Sequence, residues 1–341
     1  MRIAVIASPV APLRPAQVGG AQSFVCDLAA GLARRGHDVT LHCAEGSDVS
    51  GVKLVTVPAP ADAAAALVMP AGTPPAAAPG VEAALKAMFA SIPGDVDAVS
   101  QHAFDAPAFE LARHLPVLHT LHLPPIVPAV VAAAGTVPAP RLATVSAACR
   151  RLWGEAGVAV AHLLRNGVAD SSTPPAPADR VALVAGRISP EKGVDHALDA
   201  ARALGIPVRV AGAHYDPAYE LPLVGAELLG PLPRAELLRV MATSAVTVCA
   251  VRWDEPFGMV AAEAQMAGCP VAAYRRGAMP EVIEDGVSGS LAEPDDVASL
   301  SRAIARCLDL DRAGVHASAA RRLGLEAALD RYESVLATVA R

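Results

Sequence analysis

Short apolar runs alternate along the chain with stretches of helical periodicity. Residues 2–7 (RIAVIA) predict a buried strand of the parallel type, and the helix predicted after it carries Phe24, Val25, Leu28 and Leu32 on one face. The same order, an apolar run followed by a helical segment, returns several times. This alternation is typical of α/β domains built on parallel sheets.

A proline-rich stretch, Asp170–Asp179, interrupts the alternation near the middle of the chain and predicts an interdomain linker. Further strands are predicted at 39–43, 116–121 and 141–145 before it, and at 181–185, 208–212, 246–250 and 271–274 after it. Helices are predicted at 81–91, from Ser146 onward, and at 194–203, 259–267, 297–307 and 326–340. A length of 341 residues suits two domains. We therefore predict domains at 1–168 and 169–325, with a separate final helix at 326–341.

The segment Glu255–Val271 has the most informative pattern in the chain. A Glu-Pro-Phe-Gly loop precedes a short helix, which Gly268 ends, and a buried strand follows. Glu255 therefore lies just before the positive end of a helix, and Glu263 lies more than one turn inside it. A helix N-terminus attracts anions and polar oxygens. The two acids are thus well placed to bind hydroxyl groups beside a phosphate.

Two cations follow the predicted strand at 181–185. Arg187 has a planar set of donors and Lys192 is a mobile point charge, and together after a strand end they suit a diphosphate. The alternative is that Arg187 or Lys192 forms an exposed ion pair with Glu191.

Other polar residues and glycines also follow strands in the first half. Gly19 and Gly20 precede the first helix, where backbone amides could approach a phosphate or a sugar, although paired glycines also simply form turns. The sequence G-x-G-x-x-G is absent there, which argues against a dinucleotide-binding fingerprint. His102, His119 and His122 lie at or after strand ends, where open α/β sheets bind ligands. Each could also be a buried structural histidine.

Composition and charge narrow the possible partners. The net charge of −6 disfavours nucleic acid, and the first half has no run of lysine or arginine longer than a pair, which disfavours an anionic membrane surface. The chain is 53% apolar, yet no unbroken run is long enough to span a bilayer, and the N-terminal run is too short for a signal sequence.

Six scattered cysteines without C-x-x-C suggest reduced core residues of a cytoplasmic protein. Two D-x-D triplets, Asp95–Asp97 before a strand and Asp309–Asp311 at a helix end, have no other ligands nearby in sequence. We therefore predict no metal site and no bound cofactor.

Several motifs carry a resemblance to a known family. The string E-P-F-G-x-x-x-x-E-A-x-x-A-G-x-P-V at 255–271 and the block G-R-x-x-x-E-K-G at 186–193 resemble the signatures of family 4 glycosyltransferases. The turn N-G-V at 166–168, the block G-x-x-P-E-x-I at 277–283 and the block D-G-x-x-G at 285–289 agree with it. The resemblance is strong from 181 to 293 and looser before residue 150.

The resemblance implies a GT-B fold, in which two Rossmann-like domains face a central cleft and the last helix crosses back to the first domain. The acceptor would bind to the first domain and the nucleotide sugar to the second. A retaining sugar transfer from a nucleotide-diphosphate sugar, most often a UDP-sugar, is implied, without a metal.

The resemblance also implies roles for individual residues. Glu263 would hold the ribose, Glu255 would contact the transferred sugar, and Phe257, Gly258 and Met259 would offer backbone groups to it. The catalytic set would be Arg187, Lys192, Glu255 and His122, because Thr120-Leu121-His122 matches a T-x-H pattern in which the histidine lies near the donor sugar. Whether His102 or His119 joins the site stays open.

The acceptor is less defined than the donor. The opening S-P-V-A-P-L and the later G-G-A loosely resemble members that act on small soluble molecules such as pteridines, and a natural product or a sugar is equally open. Two alternatives to a transferase are a non-catalytic nucleotide-sugar sensor on the same fold and a nucleotide-sugar epimerase. The intact set of charged residues argues against a sensor, and epimerases lack the E-P-F-G…E string.

Overall fold

A seven-stranded parallel sheet forms the centre of the first half of the chain. Its spatial order is β3-β2-β1-β4-β5-β6-β7, which extends the order of a classical Rossmann sheet by one strand. The strands are β1 (Arg2–Ile6), β2 (Asp38–Ala44), β3 (Lys53–Val57), β4 (Ala98–Gln101), β5 (Val117–Leu121), β6 (Leu142–Thr144) and β7 (His162–Leu163). The central strands are buried along nearly their whole length because helices cover a parallel sheet on both faces.

A second parallel sheet of six strands repeats this topology in the second half. Its order is β10-β9-β8-β11-β12-β13. The strands are β8 (Asp179–Ala185), β9 (Val208–Ala211), β10 (Ala226–Gly230), β11 (Ser244–Cys249), β12 (Val271–Tyr274) and β13 (Gly289–Ala292). The predicted α/β fold with two Rossmann-like halves is therefore confirmed.

Helices connect the strands of both sheets. In the first half they are α1 (Gly20–Arg34), α2 (Pro79–Ala90), α3 (Ala106–Leu111), α4 (Pro128–Ala134) and α5 (Ala147–Glu155). In the second half they are α6 (Val194–Arg202), α7 (Arg234–Thr243), α8 (Met259–Met266), α9 (Met279–Val282), α10 (Val297–Cys307), α11 (Arg312–Leu323) and α12 (Leu325–Val339). The predicted N-cap of α5 is present, since the Ser146 side chain accepts a hydrogen bond from the Cys149 N–H.

The computed structural model describes residues 1–14, 19–63, 79–170, 178–214, 219 and 223–340. These residues group into two compact units, one within 1–15, 21–166 and 326–341 and the other within 16–20 and 167–325. The predicted linker Asp170–Asp179 lies largely outside the described residues.

The C-terminal helix α12 packs on the first unit, although it follows the second in sequence. Its Tyr332 is fully buried, donates to the Thr120 hydroxyl at 3.4 Å and packs its ring against Phe24 with 5.6 Å between centroids. Its Leu329 lies so close to α1 that a Cβ added to Gly31 would be 2.7 Å from Leu329 Cδ1. Apolar contact therefore holds this helix to the first unit.

Two sequence-based interpretations need correction. The triplet Asp309–Asp311 follows the end of α10 as expected, but the pattern did not predict α11, whose start Asp311 caps by accepting from the N–H groups of Ala313 and Gly314. The cysteines were all expected in the core. Cys43, Cys149, Cys249, Cys269 and Cys307 are buried, whereas Cys26 is only half-buried on α1.

Candidate functional site

The strand order of the second sheet reverses direction between β8 and β11, which pair directly. Loops that leave the carboxyl ends of two such strands diverge to opposite faces, and the crevice between them is where open parallel sheets bind ligands. The loop after β8 carries Arg187 and Lys192, and the loop after β11 carries Glu255. The fold therefore brings three of the predicted site residues to the same edge of one sheet.

Arg187 is held by Glu191, four residues further along the same loop. The guanidinium lies 3.4 Å from Glu191 Oε1, and the Ser189 hydroxyl donates to the same oxygen at 2.7 Å. Both charged side chains are only 19% exposed, so this pair is not the solvated surface ion pair that the sequence left open. Glu191 orients the guanidinium within the crevice.

Lys192 and Glu255 form a direct ion pair between the two loops. The Lys192 ammonium donates to Glu255 Oε2 at 2.6 Å, with the side chains 21% and 13% exposed. The Trp253 indole N–H donates to the same oxygen at 2.8 Å, and Lys192 Nζ lies 5.4 Å from the centre of the Trp253 ring. Sequence reasoning did not identify Trp253.

Two glycines allow the loops to approach so closely. Gly193 has φ +61°, and a Cβ there would lie 2.0 Å from the Ala250 carbonyl oxygen, so only glycine fits at this point. Gly277 has φ +56°, and a Cβ there would lie 2.4 Å from the Glu255 nitrogen. The Glu255 carbonyl also accepts the Ala278 N–H at 2.9 Å. The backbone around the Lys192–Glu255 pair is therefore closely packed.

Cys249 lies near this pair, at the end of β11, and its chemistry is limited by its surroundings. Burial, with a smaller contribution from the negative charge of Glu255, raises the pKa of the Cys249 thiol to about 12. The thiol is therefore protonated at neutral pH and is not a nucleophile.

Glu263 lies inside α8 and pairs with Arg234, the first residue of α7. Arg234 Nε donates to Glu263 Oε1 at 2.9 Å, and the Glu263 side chain is 8% exposed. Sequence reasoning missed Arg234. One local signal was available, because a cation at the first position of a helix opposes the helix dipole. Such a violation of a local preference often marks a functional residue.

The remaining predicted residues of the second unit form the entrance to α8. Phe257 and Met259 are buried, and Gly258 has φ +90° as the residue that precedes the helix. No hydrogen bond from a described side chain caps this helix start. The first N–H groups of any helix have no partner within the helix. That the backbone groups of Phe257, Gly258 and Met259 face a sugar stays a prediction.

In the first unit, His122 and His102 form a buried hydrogen-bonded pair. His102 Nδ1 lies 2.8 Å from His122 Nε2, and His102 Nε2 lies 2.8 Å from the Ser100 hydroxyl. The rings pack with Phe24 and with Tyr332 of α12. Burial lowers the pKa of His122 to about 4, and burial together with His122 lowers the pKa of His102 well below its ordinary value. Both imidazoles are therefore neutral at pH 7.

The other candidates from the first half of the chain are placed differently. His119 stacks on Phe109 at 4.7 Å, on a different aromatic neighbour from those of His102 and His122, and burial lowers its pKa to about 3. Of the two histidines left open by the sequence, only His102 contacts His122. Gly19 and Gly20 group with the second unit, where Gly19 is half-buried and Gly20 is the exposed first residue of α1. A Cβ added to Gly20 would lie 2.7 Å from Met259 Cγ.

The D-x-D triplets have structural partners. Arg2 pairs with Asp95 and Asp97, and Asp311 caps α11. Among the described residues, no cluster of three or more His, Cys, Asp or Glu side chains has the arrangement of a metal site. In the same part of the chain, no helix combines the length and the apolar character that crossing a bilayer requires.

Two family models match the chain in adjoining segments. Residues 18–172 match the model described as Glycosyltransferase Family 4, and residues 170–324 match the model described as Glycosyl transferases group 1. Together they extend over most of both units.

Curated relatives match parts of the chain. The D-inositol 3-phosphate glycosyltransferase of Mycolicibacterium smegmatis is 30% identical over 175 residues, which are 48% of this chain and 40% of that protein. The enzyme of the same name from Mycobacterium marinum is 36% identical over 142 residues, which are 38% of this chain and 30% of that protein. The aligned chain thus spans less than half the length of these relatives.

Solved structures match nearly the whole chain at low identity. AviGT4, a glycosyltransferase involved in avilamycin A biosynthesis, is 22% identical with a TM-score of 0.73, and the match covers 99% of this chain and 98% of that one. Anabaena Alr3699/HepE in complex with UDP-glucose is 17% identical with a TM-score of 0.75, and the match covers 99% and 100%. At this identity the likeness concerns the fold, and it confirms the predicted GT-B class.

Proposed function

The chain belongs to the family 4 glycosyltransferases, and from that premise we propose that it moves a sugar from a nucleotide-diphosphate sugar to a hydroxyl group of a small acceptor. The observation that carries the proposal is the Lys192–Glu255 ion pair at the switch point of the second sheet, with Arg187 on the same loop as Lys192. At that switch point, Lys192 and Glu255 lie 2.6 Å apart, so a cation suited to the leaving diphosphate adjoins an acid suited to sugar hydroxyls.

The reaction breaks the bond between the anomeric carbon and an oxygen of the diphosphate. Negative charge grows on that oxygen, while the sugar becomes cation-like. Arg187 and Lys192 are proposed to stabilise the departing oxygen, and removing one such fixed group typically costs about 3 kcal/mol of transition-state stabilisation, or roughly a hundredfold in rate. Glu191 and Glu255 hold these two cations in place before the donor binds.

The remaining charged pair suits the nucleotide end of the donor. We assign Glu263 to the ribose hydroxyls, with Arg234 holding one oxygen of its carboxylate. A carboxylate fixed in this way can accept two hydroxyl hydrogen bonds without first losing side-chain freedom.

We propose that the configuration of the sugar is retained through attack by the acceptor on the same face that the diphosphate leaves. The acceptor oxygen bonds to the anomeric carbon as the carbon–oxygen bond to phosphate breaks, and the acceptor proton passes to the departing phosphate oxygen. This route needs no enzyme nucleophile. The protonated Cys249 thiol is compatible with it.

UDP is the proposed nucleotide, supported by the UDP-glucose bound to the Anabaena relative in its crystal structure. The acceptor is proposed to be a small soluble molecule bound to the first unit, where the neutral His122–His102 pair can donate or accept a hydrogen bond. The names of the curated relatives add a phosphorylated polyol, D-inositol 3-phosphate, to the pteridines, natural products and sugars considered above.

A donor and acceptor screen tests the proposal. The chain is incubated with UDP-, GDP- and ADP-sugars and a panel of acceptors, nucleotide release is measured, and products are identified by mass spectrometry. Release of UDP together with a glycosylated product is the expected result. Binding of UDP-sugars without release for any acceptor would instead favour a nucleotide-sugar sensor, and interconversion of the sugar would favour an epimerase.

The Lys192→Ala variant tests the leaving-group role. We expect kcat to fall about a hundredfold and the affinity for UDP to weaken by a clearly smaller factor, because part of the effect of the charge on the departing oxygen is gained only in the transition state. Lys86→Ala is the matched control, since Lys86 is 62% exposed and its ion pair within the described residues is with Glu82 on the same helix of the first unit. Unchanged turnover in Lys192→Ala would overturn the assignment.

A further inference from the structure

We infer that Trp253 is a positioning residue that sets the orientation of the Glu255 carboxylate and thereby the recognition of the transferred sugar. The inference rests on the proposed function, in which Glu255 binds hydroxyl groups of that sugar. Trp253 would not touch the reacting atoms and would act only through Glu255.

The two oxygens of Glu255 have different surroundings. Oε2 accepts both the Trp253 indole N–H at 2.8 Å and the Lys192 ammonium at 2.6 Å. Oε1 has no hydrogen-bond partner among the residues that the structure describes. One oxygen is therefore fully engaged by protein donors, and the other retains its lone pairs for a ligand.

The backbone of Glu255 is fixed independently of its side chain. Its carbonyl accepts the Ala278 N–H at 2.9 Å, and its N–H donates to the Trp253 carbonyl at 2.9 Å. Gly277 packs directly against the Glu255 backbone. With the backbone in place, the donors on Oε2 decide where Oε1 points.

Trp253 and Lys192 cannot orient the Glu255 carboxylate equally once a nucleotide sugar binds. Lys192 is a flexible side chain, and in the proposed reaction it is attracted by the diphosphate, which competes with Glu255 for its charge. The Trp253 side chain has only two torsions and is therefore less flexible than that of Lys192. Its N–H donor carries no formal charge, so the diphosphate attracts it less. Its ring also lies 5.4 Å from Lys192 Nζ, within the range of a cation–π interaction. Trp253 therefore remains on Oε2 when Lys192 turns to the diphosphate.

This arrangement gives Trp253 a defined effect on selectivity. A fixed Oε1 accepts a hydrogen bond from a hydroxyl group in one direction only. Sugars that differ in the orientation of that hydroxyl therefore bind with different affinities. Without the indole N–H, the Glu255 carboxylate can rotate. UDP-glucose then loses the binding free energy that its sugar gains from Glu255. The binding of UDP itself, which has no sugar, stays the same.

Calorimetric titration of Trp253→Phe with UDP and with UDP-glucose tests the inference. The phenyl ring keeps an aromatic partner for Lys192 and removes the N–H donor together with part of the ring surface. We expect the Kd for UDP to change less than twofold and the Kd for UDP-glucose to rise about tenfold, the usual effect of losing one hydrogen bond to a charged acceptor. Tyr274→Phe is the matched control, since it removes one partly buried hydrogen bond, to His196, in the same unit and should change neither Kd.

A double-mutant cycle separates positioning from general disruption. In the Glu255→Ala background, Trp253→Phe should change the Kd for UDP-glucose less than twofold, because its target is gone. A tenfold loss that persists in this background, or an equal loss of UDP and UDP-glucose affinity, would overturn the inference. Since binding is measured without turnover, these outcomes are distinct from failure of the proposed function, which appears as absence of UDP release from the wild-type chain.

Discussion

Four histidines of the first unit are buried without a carboxylate partner among the contacts that the structure describes. Burial lowers the pKa of His42 and His122 to about 4 and that of His119 to about 3, and it lowers the pKa of His102 well below the ordinary value. His42 bonds to the Ser91 hydroxyl, and His102 to the Ser100 hydroxyl. Neutral imidazoles thus serve as hydrogen-bonding core residues, and among these four only the His102–His122 pair includes a residue that the sequence predicts for the catalytic set.

These lowered pKa values predict that acid destabilises the first unit. The unfolded chain binds protons on these histidines below about pH 6.5, whereas folded His42 and His122 bind them only near pH 4. The unfolded state therefore holds more protons in this window, and the free energy of unfolding falls as pH is lowered, by about 1.4 kcal/mol per pH unit for each histidine. Urea unfolding at pH 7, 6 and 5, followed by Trp153 fluorescence in a Trp253→Phe background, measures the slope.

The His119→Leu variant isolates one of these groups. It removes one proton-binding site of the unfolded state, so the slope between pH 6 and pH 5 should become shallower by roughly one proton. An unchanged slope would contradict the assignment of His119 as a neutral buried residue. This variant avoids the candidate site, because His119 stacks on Phe109 and not on His102 or His122.

Helix boundaries position the candidate site at the level of secondary structure. Gly193 precedes α6 and Gly258 precedes α8, and both have positive φ angles. Each helix therefore begins with a sharp turn immediately after a predicted ligand-binding segment. At Gly193 the turn also packs on the Ala250 carbonyl of the neighbouring loop, which joins the Lys192 segment to the Glu255 segment.

Replacement of Gly193 by alanine should destabilise the second unit more than replacement of Gly205. The two glycines have nearly the same φ, +61° and +62°, but a Cβ at Gly205 would meet no atom within 4 Å. Gly205→Ala should cost about 1 to 2 kcal/mol from backbone strain alone. Gly193→Ala should cost a further 1 to 3 kcal/mol, roughly, because the Ala250 carbonyl must move. Calorimetric unfolding of the two variants gives the difference, and equal costs would contradict the close packing.

At the level of the whole molecule, the chain completes its first unit only at its end. Residues 326–341 belong to the unit formed by residues before 166, and α12 supplies Leu329 and Tyr332 to its core. Arg35 on the other side of this contact pairs with Glu326, Asp330 and Glu333 of the same helix. The first unit is thus incomplete without the C-terminal residues.

A cavity on α12 should therefore destabilise the first unit. Leu329→Ala removes a fully buried side chain that packs on Gly31, and it should cost about 2 to 5 kcal/mol. Trp153, fully buried in the first unit, reports its unfolding when Trp253 is replaced by phenylalanine. Thr338→Ala, at an exposed position of the same helix, should cost less than about 0.5 kcal/mol. Equal stability of the two variants would mean that α12 does not complete this core.

Much of the fold could be predicted because its signals are local. The apolar runs of strands such as β1 and β12 and the stop at Gly268 depend on neighbours in sequence, and so do the motif strings that carry the family resemblance. For residues close in sequence, such as Arg187 and Glu191, an ion pair could be considered as an alternative, although the sequence suggested an exposed pair and the structure shows one that is only 19% exposed. The sequence missed α11 because no strong apolar stripe marks that segment, and it shifted several strand ends by one or two residues.

The sequence alone determined the α/β class, the family and the positions of the charged motifs, because each depends on residues that are neighbours along the chain. The tertiary structure decided which of these residues meet. Arg234 contacts Glu263 and His102 contacts His122, across separations that no local pattern encodes. The packing of α12 on the first unit was implied by the family resemblance alone. An apolar or charged pattern indicates that a face is buried or that a charge is paired. Which residues it contacts depends on the strand order in the sheet, because that order decides which loops and helices become neighbours.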